Sequence, residues 1–130
     1  MVTVTAAIIS DNGKVFIAKR KPPTKFANLW EFPGGKVEDG ETPEQCLKRE
    51  LLEEFEIDVA VGKHLGTSEH EYDFGAIELM AYATKIVGGE MKLNDHAEVA
   101  WVKAEDLTRY EFVPADLPFV EMIGRGEIEL

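Results

Sequence analysis

Residues 34–57 read GGKVEDGETPEQCLKRELLEEFEI and constrain the fold more than any other stretch. Thr42 is a good N-cap, Pro43 suits the first helical position, and Gln45 stands where a capping box takes its partner, so a helix is predicted to begin here. The glycine-rich residues before it then form a loop. At about 100° per residue, Glu50, Glu53 and Glu54 project from one face, with Cys46 a turn earlier, while Leu47, Leu51 and Phe55 form the neighbouring apolar face. Like charges three and four residues apart weaken an isolated helix by roughly 0.2–0.5 kcal/mol per pair, so the strip requires a compensating partner. A hard divalent cation supplies one, because Mg2+ takes oxygen ligands and keeps several waters in a partly open site. On the helix alone, a solvated acidic face is the competing explanation.

From Gly35 the spacing is G-x5-E-x7-R-E-L-x-E-E-x-E-I. It resembles the Nudix box of the Nudix hydrolases, G-x5-E-x7-R-E-U-x-E-E-x-G-U with U aliphatic, at every position except the late Gly, which is Glu56 here. The resemblance implies hydrolysis of a nucleoside diphosphate linked to another moiety, with one or more Mg2+ or Mn2+ ions. A Gly in place of Glu56 would end the helix by taking positive φ. A Glu in that conformation costs about 1 kcal/mol or makes the helix continue.

Carried over residue by residue, the box makes Glu50, Glu53 and Glu54 metal ligands, with the Gly34 carbonyl as a further one. Glu41 and Arg49 resemble the pair that holds the loop and orients the carboxylates, although for Arg49 relief of the repulsion beside Glu53 is a sufficient reason to be there. The run W-E-F-P-G-G-K over 30–36 is characteristic of the MutT-like branch and extends the resemblance to substrate contacts at Gly35 and Lys36. Phe32 flanks the base or belongs to the core. Arg20, at the end of a strand and inside the positive cluster Lys19-Arg20-Lys21, matches an Arg that faces the substrate phosphates; a cluster that guards a sheet edge is the alternative. Asp95 stands six positions before Trp101, where the branch carries an acidic residue on a loop reaching the metals. Many relatives have Glu there, which is one methylene longer.

Asp116 bears on substrate choice. It occupies the position after P-A whose polar residue contacts the base in MutT-like enzymes, in a V-P-A-D-L-P context that resembles the CTP pyrophosphohydrolase branch. An ionised Asp only accepts, so it suits the N1-H and N2-amino edge of a guanine or the N4 amino group of a cytosine. A helix N-terminal residue stabilised by the dipole is the competing reading.

Composition bounds the remainder. With 130 residues, 45% hydrophobic and 30% charged, residues 1–130 suit one domain with a single core. A formal net charge of -11 offers no broad footprint for polymeric nucleic acid or an anionic membrane, so an anionic substrate has to be recruited locally. The expected partner is a nucleoside triphosphate, bound by a monomer or weak dimer. Cys46 is the only cysteine, which excludes an internal disulfide, agrees with a reducing cytoplasm and fits a buried packing role. Residues 1–10 lack a basic n-region and are too short to span a bilayer, so no targeting signal is visible and a cytoplasmic location is expected.

In chain order, residues 2–9 alternate and then become continuously apolar, as a strand does on entering a covered sheet. Asp11-Asn12-Gly13 predicts a hairpin turn, with residues 14–20 returning. Further strands are predicted over 28–33, from 57 towards 68 with a break at Gly62, and over 77–83; His64 and His70 lack metal-ligand spacing. Residues 104–107 predict a short turn, and 114–123 a helix placing Leu117, Val120 and Phe119 against the sheet.

The expected fold is an α/β/α sandwich around a mixed β-sheet, the Nudix fold of the α/β class. The reaction that the resemblance implies converts a nucleoside triphosphate, 8-oxo-dGTP or CTP/dCTP, to the monophosphate and pyrophosphate, with Glu50 or Asp95 as general base. Two rivals stand beside it: a Nudix-fold module that binds nucleotide without cleaving it, favoured only by Glu56, and a hydrolase of another nucleoside diphosphate derivative.

Overall fold

The computed structural model describes residues 1–130. Strands β1 (Val2–Asp11) and β2 (Lys14–Arg20) are followed by the short β3 (Trp30–Glu31), helix α1 (Pro43–Phe55), strands β4 (Ile57–Tyr72), β5 (Gly75–Gly89) and β6 (His96–Lys103), and helix α2 (Leu117–Gly124). Two 3-10 turns, Ala104–Arg109 and Pro114–Asp116, lie between β6 and α2.

The sheet is mixed. β1 runs parallel to β5 from Val2↔Ile77 to Ile9↔Thr84, and β4 lies antiparallel on the far side of β5. β2 takes β6 along its whole length on one side and β3 at Ala18 and Lys19 on the other, both antiparallel. Asn12 and Gly13 both have positive φ, the pairing that a type I′ hairpin turn demands, yet β1 and β2 share only two registered pairs before they diverge. Residues 33–37 enter the opening. Thr5 N and Ala7 N donate to the carbonyls of Gly35 and Pro33, and Val37 N donates to Thr3 O, so β1 finds its backbone partners in the glycine segment instead of β2.

Alternation along β1 and β2 divides the apolar side chains between two faces. Ala6, Ile8, Val15 and Ile17 join Leu107, Phe119 and Ile123 on one side, while Ala7, Ile9, Phe16 and Ala18 join Leu47, Leu51 and Phe55 on the other. The architecture is therefore the expected three-layer sandwich, but with two apolar clusters where a single core was expected, because helices cover both faces.

α1 begins as predicted. Thr42 accepts from Gln45 N, and the Gln45 side chain accepts in return from Thr42 N. Leu47, Leu51 and Phe55 are fully buried, each contributing roughly 1.5–3 kcal/mol, and Phe55 meets Phe16 edge-on at 5.4 Å. The helix ends at Glu56, which adopts the left-handed conformation with φ 56° and donates its N–H to Leu52 O. The residue that departs from the box therefore keeps the conformation of a glycine cap.

Other expectations required adjustment. The strand predicted over 28–33 shrinks to Trp30–Glu31 because the next residues belong to the β1 opening. β4 continues to Tyr72, with its ladder interrupted between Val61 and Gly66 near the predicted break, and β5 extends beyond 77–83 at both ends. Leu117 is 45% exposed rather than packed; Phe119, Val120 and Ile123 face the sheet.

Candidate active site

The glycine segment sets the site's geometry. Pro33 and Gly35 carbonyls point to β1, so the alternate carbonyl, that of Gly34, is directed away from it. The Gly35 carbonyl is held three ways, by Thr5 N at 2.8 Å, Thr5 Oγ1 at 3.1 Å and the Cys46 thiol at 3.4 Å. Cys46 is buried, and loss of hydration pushes its thiol up to about 11, which leaves it a packing and hydrogen-bonding group. A Cβ at Gly34 would collide with the Thr5 backbone carbonyl, and one at Gly35 would require the Glu50 carboxyl to move.

Arg49 organises the acidic strip. Its Nε and Nη2 grip Glu41 at 2.7 and 2.9 Å, its Nη1 reaches Glu50 at 2.9 Å and Glu53 at 3.4 Å, and Nη2 also donates to Lys36 O. The two hydrogen bonds from Arg49 draw the Glu41 carboxyl down to about 2, assisted by Glu38 N. Glu41 thus ties the loop to the helix. Burial raises Glu50 against the pull of Arg49, while Glu53 is exposed.

Glu54 differs from both. It is 8% exposed, its Oε1 has no hydrogen-bond partner, and burial beside Glu31, Glu50 and Asp95 pushes its carboxyl up to about 9. Such a carboxyl lacks positive charge. A divalent cation taking oxygen ligands fits this chemistry; of the expected ligands Glu50, Glu53, Glu54 and the Gly34 carbonyl, Glu54 is the one that falls in a close metal-competent group, with Glu31 and His96.

The loop before β6 is tied to the end of α1: Asn94 N and Nδ2 donate to the carbonyls of Glu54 and Glu53, and Lys92 N to that of Phe55. These bonds cap the last turn of α1 and bring Asp95 to a small cavity of about 130 Å3, which it lines with Arg20, Thr24, Glu31, Glu54 and His96. Sequence reasoning missed Asn94, Glu31 and His96. His96 Nε2 lies 2.7 Å from Glu31 Oε2 and 3.7 Å from Glu54 Oε2, and the three side chains could hold a metal ion. The only signal for it was its place next to Asp95.

A second, larger cleft of about 390 Å3 opens on the other side of Arg20 and Glu31. Phe32, Gly34, Gly35, Lys36 and Asp116 line it, together with Tyr72, Phe74 and Phe26, aromatics that sequence reasoning did not single out. Phe26 and Phe74 each pack on Tyr72 with ring centres 5.0 Å apart. Phe32 is a core residue, buried against Phe112, and also forms part of the cleft wall. Arg20 is less free than expected, since Nη1 binds Glu31 Oε1 at 2.8 Å and Nε binds Lys25 O; Nη2 is uncommitted.

Asp116 requires a correction. It is 4% exposed and does not cap α2; its Oδ2 accepts from Phe32 N at 2.9 Å. Burial, with Glu31 adding to it, drives its carboxyl well above the usual range, which works against the ionised acceptor that was expected.

The NUDIX domain family model matches residues 1–123. The chain is 37% identical to the CTP pyrophosphohydrolase of Escherichia coli K12, over 93% of this chain and 90% of that protein, and 34% identical to the 8-oxo-dGTP diphosphatase of Haemophilus influenzae, over 95% and 91%. Its fold superposes on the MutT protein of Methanosarcina mazei Go1 with a TM-score of 0.85 at 25% identity, covering 97% and 94% of the two chains. A glycine loop set against a cation-poor carboxylate strip is thus found in a chain whose nearly full length matches MutT-like enzymes: the protein belongs to the Nudix family and is a Nudix hydrolase.

Proposed function

We propose that the chain is a Mg2+-dependent nucleoside triphosphate pyrophosphohydrolase, with Mn2+ as a substitute, that releases a nucleoside monophosphate and pyrophosphate from cytosine or oxidised-guanine nucleotides. One observation carries the reading: an aromatic cleft with Asp116 in its wall adjoins the Glu50-Glu53-Glu54 strip through the shared segment Gly34-Gly35-Lys36. A base stacked against Phe32 or Tyr72 would leave its phosphates along that segment, next to Lys36 and the free Nη2 of Arg20. The names of the relatives, CTP pyrophosphohydrolase and 8-oxo-dGTP diphosphatase, agree with it.

When bound, the cation would supply charge to the phosphate oxygens and lower the pKa of the attacking water. Arg49 holds Glu50 and Glu53 in register, the missing side chain of Gly35 leaves the Glu50 carboxyl room beside the loop, and Glu50 or Asp95 accepts the water's proton. Asp116 reads the base edge. As a neutral acid it offers an O–H donor beside the oxygen already occupied by Phe32 N–H, which suits a base carbonyl or ring nitrogen; ionised, it suits an amino group. Polymeric nucleic acid is a poor fit to a chain of net charge -11. Glu56 gives no support to a non-catalytic module, since it preserves the helix end.

Pyrophosphate release measured with Mg2+ across 8-oxo-dGTP, dGTP, CTP, dCTP and 5-methyl-dCTP tests the proposal. Glu53→Gln is expected to lower kcat on the order of 10^3-fold, as loss of several kcal/mol of transition-state stabilisation requires. Nucleotide binding without turnover of any of these would refute it.

A further inference from the structure

We infer that His96 is a positioning residue: from the start of β6 it holds the buried Glu54 carboxylate in the acidic strip, and through Glu31 it ties that carboxylate to Arg20 at the wall of the nucleotide cleft. The inference rests on the reading of Glu54 as a cation ligand, and on the nucleotide-hydrolase reading for its turnover assay.

Glu54 stands out as a buried carboxylate with almost no donors. Arg49 engages Glu41, Glu50 and Glu53 but not Glu54, whose ion-pair contact is instead with His96 Nε2, 3.7 Å from Oε2 and longer than a hydrogen bond. Groups this buried are ordinarily held by hydrogen bonds. The Glu31 oxygen 2.7 Å from Nε2 only accepts, so Nε2 carries the proton, and that N–H lies between the Glu31 and Glu54 carboxylates. Glu31 is clamped at both ends, Oε1 by Arg20 and Oε2 by His96, and cannot swing towards Glu54.

His96 is itself rigid. Its ring stacks on Phe55, the neighbour of Glu54 on α1, at 5.0 Å and 16°, and its backbone pairs with Arg20 across the bulge after Lys19. Cross-strand partners share a face of the sheet, which accounts for Arg20 and His96 meeting at one Glu31. Without the imidazole N–H, the Glu31 and Glu54 carboxyls would face each other with no donor between them, and Glu54, once ionised by a bound cation, would be displaced from the strip. The loop carrying Asp95 would stay in place, because Asn94 anchors it independently.

The test uses the full chain with Mn2+ as probe, bound ion being read by electron paramagnetic resonance and turnover by pyrophosphate release. His96→Phe keeps the stacking and deletes the donor; His96→Gln restores an N–H near the position of Nε2. With both variants folded by thermal melting, His96→Phe is expected to weaken Mn2+ binding by about 10- to 100-fold, the usual cost of losing a group that supports a ligand. Its kcat should recover at high Mn2+ with the nucleotide KM little changed, and His96→Gln should regain most of the affinity. Wild-type Mn2+ affinity in folded His96→Phe, or a folded His96→Gln as weak as His96→Phe, would overturn the assignment. So would a directly coordinated nitrogen in the wild-type spin-echo spectrum, which would make His96 a ligand. If the wild-type protein binds Mn2+ yet hydrolyses no nucleotide, the nucleotide reading fails while the affinity comparison still decides the role of His96.

Discussion

Asp116 illustrates how little of a residue's chemistry its identity determines. Its place in the wall of a cleft agrees with the P-A-D run, but its charge state was not legible, because that depends on burial contributed by residues far away in sequence and on Glu31 nearby. Asp116→Asn keeps an acceptor for Phe32 N–H while replacing an acid by a permanently neutral amide. It is expected to shift the ratio of kcat/KM between guanine and cytosine nucleotides by roughly tenfold or more, since one base-edge hydrogen bond is worth about 1–3 kcal/mol, and a panel of the five nucleotides checks this. An unchanged ranking would remove Asp116 from base recognition. Glu31 and His96 were illegible for a related reason: their hydrogen bond joins positions 65 residues apart, and neither residue carries a local motif.

Element by element, what was legible was local. The capping box at Thr42 and Gln45, the Asn12-Gly13 turn and the apolar face of α1 all express short-range rules and appear as expected. Leu117 was misassigned because the 3-10 turn Pro114–Asp116 advances the chain by a different angle per residue, so the helical face starts out of phase with the predicted one. Glu56 holds positive φ at the end of α1 without being Gly. Glu56→Gly should relieve that strain and raise stability by about 1 kcal/mol, or roughly 4 °C in Tm, with catalysis unchanged. A lower Tm would mean that the Glu56 side chain contributes more than its backbone conformation costs.

At the scale of the whole molecule, the acidic strip makes stability depend on pH and cation together. Glu54 has a folded pKa raised to about 9 from an ordinary value near 4.5, so between these values the native state holds a proton that the unfolded chain has released. In EDTA, Tm is therefore expected to fall as pH rises from about 5 towards 9. Saturating Mg2+, which favours the ionised carboxylate, should flatten that dependence and raise Tm, by the equivalent of about 2.7 kcal/mol at a hundredfold excess over its Kd. Melting curves across pH with and without Mg2+ decide it, and a Tm that rises with pH in EDTA would count against the buried, cation-poor carboxyl.

The opening between β1 and β2 has a kinetic consequence. A hairpin with so favourable a turn would ordinarily zip to its ends, yet here only the pairs next to the turn belong to the native state. A fully zipped β1–β2 ladder is thus a competitor that uses the same donors as the glycine segment. Folding must leave one edge of β1 unpaired until residues 33–37 arrive, while its other edge waits for β5, some 75 residues away at Ile77. Catalytic competence should accordingly be a late event. After dilution from denaturant, far-ultraviolet signal from the sheet is expected to return before hydrolysis does, and simultaneous recovery would show that the glycine segment enters with the first strand pairs.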